Sequence, residues 1–218
     1  MESASLAPLP AAAEAALFER FATALRDPGW AVVPDALPPA LGAALLEHVV
    51  ALDDDEFVRA GIGRQAERAT NDFVRRNAIC WISGDCPPTR AWVEFAARLR
   101  AHLNRSLMLG LFSFESHFAH YPVGGFYKRH VDAFRGETNR VVSLVTYLNP
   151  GWAPHDGGEL VLYPAGGPDA GVTVTPAFGT VVLFLSEEIP HEVLPARRPR
   201  RSIAGWYRVR ALDGTCPD

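Results

Sequence analysis

The chain has 218 residues, enough for one good-sized domain, with 48% hydrophobic and 21% charged residues and a formal net charge of -4. The charges are scattered, so no basic face for nucleic acid can be read from them, and we expect no DNA or RNA partner. The chain has no run of about 18 apolar residues, no basic and apolar leader, and no CxxC pair, so we expect a cytoplasmic protein outside the membrane.

The first half of the chain is predicted to be mainly helical. Apolar residues recur there at helical spacing, and a pair of prolines opens the second helical segment. Helices are predicted over 12–25, 38–52 and 89–103, with short strands within 29–38 and over 78–83. Residues 53–73 are charged and have no clear period, which predicts a mobile loop.

The second half changes to short strands separated by Gly and Pro. Strands are predicted over 114–121, 126–132, 140–148, 159–163, 171–175, 180–185, 192–194 and 202–209. Eight such strands are typical of a sandwich or barrel. We therefore expect a mainly β protein with helical support, in which a jelly-roll (double-stranded β-helix) core over 111–210 packs against helices within 1–110. Residues 1–218 are expected to form a single domain.

The segment YKRHVD, ending at Asp132, carries a candidate metal site. On a strand, His130 and Asp132 project to the same face about 6.5–7 Å apart, so they can share a metal ion. His191, near the start of another predicted strand, is a plausible third ligand. Two histidines and one carboxylate form the ligand set of non-haem iron(II) oxygenases. Taken alone, the motif is a weak signal for a metal and more often forms a His–Asp hydrogen bond on a half-buried strand.

Arg200 follows His191 by nine residues and supports the metal interpretation. If its strand face looks into the barrel, Arg200 is a buried cation that needs an anion, and a dicarboxylate cosubstrate would supply one through a bidentate pair. Tyr147 could hydrogen-bond the same carboxylate. Without the metal site, Arg200 would be interpreted as a surface residue of a basic turn and Tyr147 as a core residue.

Five segments together resemble the prolyl 4-hydroxylase branch of the 2-oxoglutarate- and iron(II)-dependent dioxygenases, in particular bacterial relatives of the hypoxia-sensing prolyl hydroxylases. They are HYPVGGFYKRHVD, VVSLVTYLNPGW, GGELVLYP, VLFLSEEIPHEVLPA and RRSIAGWYR. The match extends over roughly 120–208, with a fainter one at 73–82.

The resemblance implies 2-oxoglutarate- and O2-dependent hydroxylation of a prolyl residue in a protein, giving succinate and CO2. It implies Fe(II) as the metal, with ascorbate as an optional addition. Bacterial relatives suggest a translation elongation factor as the substrate, although nothing in the sequence identifies it.

The resemblance also implies a role for each site residue. Iron is bound by His130, Asp132 and His191. The distal carboxylate of 2-oxoglutarate is bound by Arg200, Tyr147 and Tyr121. The substrate side of the active site is formed by Tyr127, Arg140 and Trp206.

Two positions depart from the family pattern. Relatives often carry an acidic residue where this chain has Asn77, and some have Thr where it has Ala204. The first departure puts the choice of peptide in doubt. Residues 53–77 are interpreted as a lid over an extended protein substrate or, equally, as a solvated run of charges.

Other functions remain open from the sequence. A hydroxylase of a free amino acid or other small molecule would use the same site. A zinc hydrolase accepts the same ligands, but the chain has no HExxH motif and Arg200 would lack a purpose. A non-catalytic jelly-roll binding module would need neither the triad nor Arg200. An alkylated-base demethylase is disfavoured because Trp206 stands where those enzymes usually have a second arginine.

Overall fold

The computed structural model describes residues 6, 8–59, 74–133, 139–164 and 171–210. Within them the chain forms three helices and eleven strands. The helices are α1 (Ala11–Arg26), α2 (Pro39–Ala51) and α3 (Pro87–Leu107). The strands are β1 (Trp30–Val33), β2 (Val58–Arg59), β3 (Ala78–Trp81), β4 (Ser113–Tyr121), β5 (Tyr127–His130), β6 (Arg140–Tyr147), β7 (Leu160–Leu162), β8 (Val172–Val174), β9 (Val181–Leu185), β10 (His191–Val193) and β11 (Arg200–Arg208). None of the helices in these residues is both long and apolar enough to cross a membrane.

The strands form two antiparallel sheets, which confirms the predicted jelly-roll with helical support. The major sheet has the order β1-β9-β6-β11-β4-β3-β2, and the minor sheet has the order β5-β10-β7-β8. A cluster of apolar side chains from both sheets fills the space between them. Strands β1, β2 and β3, from the first half of the chain, extend the major sheet at its two ends.

The prediction of a loop over 53–73 is wrong for its first residues. Residues Asp54–Glu56 form a 3-10 turn, and β2 follows it and pairs with β3, with Val58 opposite Ile79. Local periodicity gave no sign of this strand because a two-residue strand is fixed by its partner rather than by its own pattern. The remainder of the predicted loop, 60–73, lies outside the described residues.

The major sheet is covered on both faces, and alternate residues of one strand serve different layers. In β9, Val181 and Leu183 pack against the helices, whereas Val182 and Phe184 pack toward the minor sheet. Two covered faces explain why this strand is a continuous apolar run instead of an alternating one. The sheet is therefore a single layer between the helical core and the space between the sheets.

The helices are tied to the sheet and to one another. The Tyr207 hydroxyl of β11 donates a hydrogen bond of 3.0 Å to the carbonyl of Ala96 in α3. Arg98 of α3 donates through Nε and Nη2 to the two carboxylate oxygens of Glu14 in α1, at 2.8 and 3.0 Å. Phe95 of α3 is fully buried, and its ring centroid is 5.5 Å from that of Phe18 in α1. The helical layer therefore acts as a fixed support behind the sheet.

We expect Phe95→Ala to lower the free energy of unfolding by about 3–5 kcal/mol, because it leaves a cavity in the helical core. Val93→Ala on the same helix removes a side chain that is 36% exposed, and it should cost less than about 0.5 kcal/mol. Urea denaturation followed by circular dichroism measures both. Equal losses in the two variants would contradict the assigned face of α3.

Candidate active site

The pairing of β5 with β10 brings the three predicted metal ligands together. His191 lies directly opposite His130 in this antiparallel pair. Strand β5 ends at His130, not at 132 as predicted, so Asp132 lies just beyond the strand. Its Oδ1 atom is nevertheless 3.7 Å from Nε2 of each histidine. The potential ligand atoms of the three residues all lie within 4.8 Å of one another.

Hydrogen bonds orient both imidazoles for metal binding. Nδ1 of His130 donates to the carbonyl of Lys128 at 2.7 Å, and Nδ1 of His191 donates to the carbonyl of Ile189 at 3.2 Å. With the proton held on Nδ1, the Nε2 lone pair faces Asp132. The ring of Tyr127 stacks on His130 with centroids 3.5 Å apart. The imidazoles are thus fixed in both tautomer and direction.

The charge state of the cluster suits a divalent cation. Burial raises the pKa of Asp132, but His191, His130 and a hydrogen bond from Ser143 outweigh this effect and hold it well below its usual value. Ser143 donates to Oδ2 at 2.6 Å, which leaves Oδ1 for a metal. Burial lowers the pKa of His191 to about 4. At neutral pH the cluster therefore offers a carboxylate and unprotonated imidazole nitrogen.

Arg200 is the buried cation that the strand pattern predicted, at 1% exposure. Its Nε donates to the carbonyl of Gly158 at 2.8 Å and its Nη1 to Ser202 Oγ at 3.2 Å. No carboxylate of the described residues lies within ion-pair distance of it. The guanidinium carbon is 4.8 Å from the Tyr121 ring and 5.1 Å from the Tyr147 ring. A buried cation without an acidic partner is costly, so the site fits an anionic ligand.

The Tyr147 hydroxyl adds a second argument for an anionic ligand. It is buried and has no hydrogen-bond partner in the part of the chain that the structure describes. Burial raises the pKa of Tyr147 to about 12, despite the nearby Arg200 cation, so the hydroxyl keeps its proton. A neutral O–H donor beside an arginine is suited to a carboxylate acceptor.

One cavity of about 380 Å³ joins the metal-ligand cluster to Arg200. Its volume is in the range of small-molecule sites. Its walls contain eight of the nine predicted site residues, namely Tyr121, Tyr127, His130, Asp132, Arg140, His191, Arg200 and Trp206. The ninth, Tyr147, is buried beside Arg200.

Glu115 was missed by the sequence analysis, although it fixes one wall of the cavity. Its Oε1 accepts hydrogen bonds from Nε and Nη2 of Arg140 at 2.9 and 2.7 Å, and its Oε2 accepts one from Nη1 of Arg208 at 3.1 Å. Arg140 is held with its guanidinium carbon 3.8 Å from the centre of the Trp206 ring. Glu115 is opposite Trp206 in the β4–β11 pair, a register that the sequence did not supply.

His117 is a second residue whose place the sequence did not predict. It was expected to be a poor co-ligand of His120, and it is not part of the metal-ligand cluster. It lines the cavity between the rings of Trp81 and Trp206, with ring centroids 5.2 and 5.4 Å away. Burial, assisted by Arg75, lowers its pKa to about 3. His117 is therefore a neutral part of the cavity wall at physiological pH.

A jelly-roll with this cavity defines a class of protein: a mononuclear metal enzyme with a separate place for a carboxylate-bearing cosubstrate. The His/Asp/His ligand set also accepts zinc, but the unpaired Arg200 and Tyr147 fit a dicarboxylate.

Comparisons with known proteins agree with this class of enzyme. The model of the 2OG-Fe(II) oxygenase superfamily matches residues 116–208. A prolyl-4-hydroxylase from Pseudomonas putida is 39% identical with a TM-score of 0.80, and the match covers 89% of this chain and 100% of that one. A Trichoplax adhaerens prolyl hydroxylase, solved with a hypoxia-inducible factor peptide, is 27% identical with a TM-score of 0.81 over 89% and 90%. Prolyl 4-hydroxylases from Phytophthora capsici share the fold at 23% identity, with a TM-score of 0.74 over 95% and 68%.

The chain therefore belongs to the 2OG-Fe(II) oxygenase superfamily, within its prolyl 4-hydroxylase branch, and is an iron(II)- and 2-oxoglutarate-dependent dioxygenase.

The low pKa of His117 predicts a pH dependence of stability in the metal-free protein. Between pH 6.5 and about 3 the unfolded chain binds a proton at this position and the folded chain does not. Stability should therefore fall as the pH falls, by up to about 1.4 kcal/mol per pH unit from this residue. His117→Phe should reduce the slope of unfolding free energy against pH between pH 4 and 6.5.

The matched control is His155→Phe, because the His155 side chain is 82% exposed. It should leave the slope unchanged. An unaltered slope in His117→Phe, measured by urea denaturation at several pH values, would show that His117 is not held neutral by the fold.

Proposed function

We propose that this dioxygenase hydroxylates a prolyl residue in a protein or peptide. The observation that carries the proposal is the single cavity shared by the His/Asp/His cluster and by Arg200, a buried cation with no acidic partner among the described residues. Identity of 39% over the full length of a Pseudomonas putida prolyl-4-hydroxylase supports the choice of proline.

Iron(II) is proposed to be held by His130, Asp132 and His191. When bound, it supplies the oxidising chemistry by which O2 and 2-oxoglutarate yield a hydroxylated substrate, succinate and CO2. The contribution of this chain is to hold the ligands in advance. The carbonyls of Lys128 and Ile189 fix the two imidazoles, and Ser143 fixes the carboxylate.

Arg200 and Tyr147 are proposed to bind the distal carboxylate of 2-oxoglutarate. The guanidinium offers its terminal nitrogens and the tyrosine its unpartnered hydroxyl, while the Tyr121 ring flanks the cation. Because all three side chains are buried, the ion pair forms away from water, where it is stronger. The pair orients the cosubstrate and helps to keep water from the reacting groups.

Tyr127, Arg140 and Trp206 are proposed to form the substrate side of the site. Arg140 is held by Glu115 and covers the face of Trp206, so the two side chains form one continuous wall of the cavity. The indole N–H of Trp206 is buried without a hydrogen-bond partner in the described residues. A carbonyl oxygen of a bound peptide would satisfy it.

The family resemblance supports two finer proposals: a translation elongation factor as the substrate, and stimulation by ascorbate. A cytoplasmic location and a single domain over 1–218 are proposed from the sequence pattern alone. Mass spectrometry of lysate proteins incubated with enzyme, iron and 2-oxoglutarate tests the first. A gain of one oxygen atom on a proline of one protein would identify the substrate.

We expect His130→Ala and Asp132→Ala to abolish turnover of 2-oxoglutarate, because each removes a proposed ligand of the iron. His155→Ala, an exposed histidine beside an aspartate outside the cavity, should leave turnover nearly intact. Succinate formation measures all three. An equal loss in the three variants would mean that the ligand assignment is wrong.

Arg200→Ala should weaken the binding of 2-oxoglutarate at least about ten-fold, since a charge-assisted pair is lost. Arg200→Lys should recover only part of the affinity because it lacks the planar fork. Arg201→Ala, next along the same strand with its side chain partly exposed, is the matched control and should bind normally. Calorimetric titration of anaerobic, iron-loaded enzyme gives these affinities, and unchanged binding in Arg200→Ala would reject the assignment.

One alternative concerns the substrate. Hydroxylation of free proline without hydroxylation of peptides would favour a small-molecule hydroxylase.

A further inference from the structure

The charges that the described residues contribute to the cavity wall do not balance. Four charged side chains among these residues face the cavity: Arg75, Arg140, Arg200 and Asp132. In the proposed function Asp132 serves the metal and Arg200 the cosubstrate. Arg140 shares the single carboxylate of Glu115 with Arg208, so that group of three already carries one excess positive charge. Arg75 is the remaining cation.

Arg75 is held in place by uncharged groups. Its backbone forms an isolated β-bridge with Tyr127, and its guanidinium carbon is 4.5 Å from the centre of the Tyr127 ring. Its Nε donates a hydrogen bond of 2.6 Å to Oδ1 of Asn77, a buried amide. Within the described residues, no carboxylate lies within ion-pair distance of Arg75. The guanidinium is thus partly desolvated and oriented, but no carboxylate of the described residues neutralises it.

The position of Arg75 relates it to the reacting end of the cavity. The Tyr127 ring that it covers is itself stacked on His130. Arg75 and His117 both line this cavity. A group bound by Arg75 would therefore lie at the end of the cavity that holds the proposed metal ligand His130.

We propose that Arg75 binds a carboxylate of the substrate and makes this enzyme selective for an anionic substrate. The inference rests on the proposed prolyl hydroxylation. The carboxylate has two possible sources: an Asp or Glu side chain beside the target proline in a peptide, or the α-carboxylate of a free amino acid. A neutral peptide would leave the Arg75 charge uncompensated in a partly desolvated wall.

The test compares two peptides of equal length that differ only in charge: each carries one proline, flanked by Asp in one peptide and by Asn in the other. Free L-proline is the third substrate. The enzymes are wild type, Arg75→Gln and Arg76→Gln, the last an exposed arginine next in the chain and outside the cavity. Product is measured as the gain of one oxygen atom.

The wild type should use the Asp peptide about ten-fold more efficiently than the Asn peptide in kcat/KM, mainly through KM. Arg75→Gln should remove this preference, and Arg76→Gln should keep it. Arg75→Glu should reverse it, so that a Lys-flanked peptide becomes better than the Asp peptide. A merely structural role for Arg75 would not produce the reversal.

The outcomes separate this inference from the proposed function. Equal use of the Asp and Asn peptides by the wild type would overturn the inference and leave prolyl hydroxylation intact. Arg75-dependent turnover of free proline alone would keep the carboxylate contact and overturn the peptide substrate. If no substrate gains oxygen, prolyl hydroxylation fails, and fluorescence anisotropy of labelled Asp and Asn peptides on iron-loaded, anaerobic enzyme decides the inference: equal affinities would overturn it.

Discussion

The register between β5 and β10 is the constraint on which the site depends. It sets His191 directly opposite His130, and since side chains alternate with period two, a slip of one residue would turn His191 to the other face of the sheet. Strand β10 is held against such a slip by a second partner, β7, in which Leu162 is opposite the same histidine. The ligand cluster is therefore a product of backbone pairing on both sides of a three-residue strand.

The same kind of pairing builds the other end of the cavity. Arg200 is directly opposite Tyr121 in the β4–β11 pair, and Ser202, which accepts one of its hydrogen bonds, is opposite Tyr147 in the β6–β11 pair. The cation and the two tyrosines are brought together by three adjacent strands. Strand pairing itself fixes their geometry, so little ordering cost remains to be met during binding.

Much of this arrangement could be predicted from sequence because it follows from short spacings. The two-residue spacing of His130 and Asp132 and the period-two pattern after Arg200 are local, and together with the family resemblance they predicted the candidate metal ligands and the buried cation. The strand end at His130 was not predicted, because a strand's limit depends on its partner. The roles of Glu115 and Arg75 could not be predicted for the same reason. Their contacts with Arg140 and Tyr127 depend on how separate strands pair, which the sequence does not show.

The burial of donors that lack an acceptor among the described residues costs free energy. The Tyr147 hydroxyl and the Trp206 indole N–H both lack acceptors among the described residues, although most buried polar groups are hydrogen-bonded. Ligands that supply these acceptors bind only the folded chain, so they stabilise it by mass action. Stability and occupancy of the cavity are therefore coupled in this enzyme.

The side chains of β11 alternate between the helical core and the cavity, so neighbouring residues have different roles. Ile203 and Tyr207 belong to the core against the helices, whereas Ser202 and Trp206, each one step away, line the cavity. Substitutions at the core positions of this strand would thus lower the stability of the fold, whereas substitutions at the cavity positions would lower activity. A new substrate preference could therefore evolve through changes at the cavity-facing residues of β11. The core-facing residues between them, and the fold that they stabilise, would stay the same.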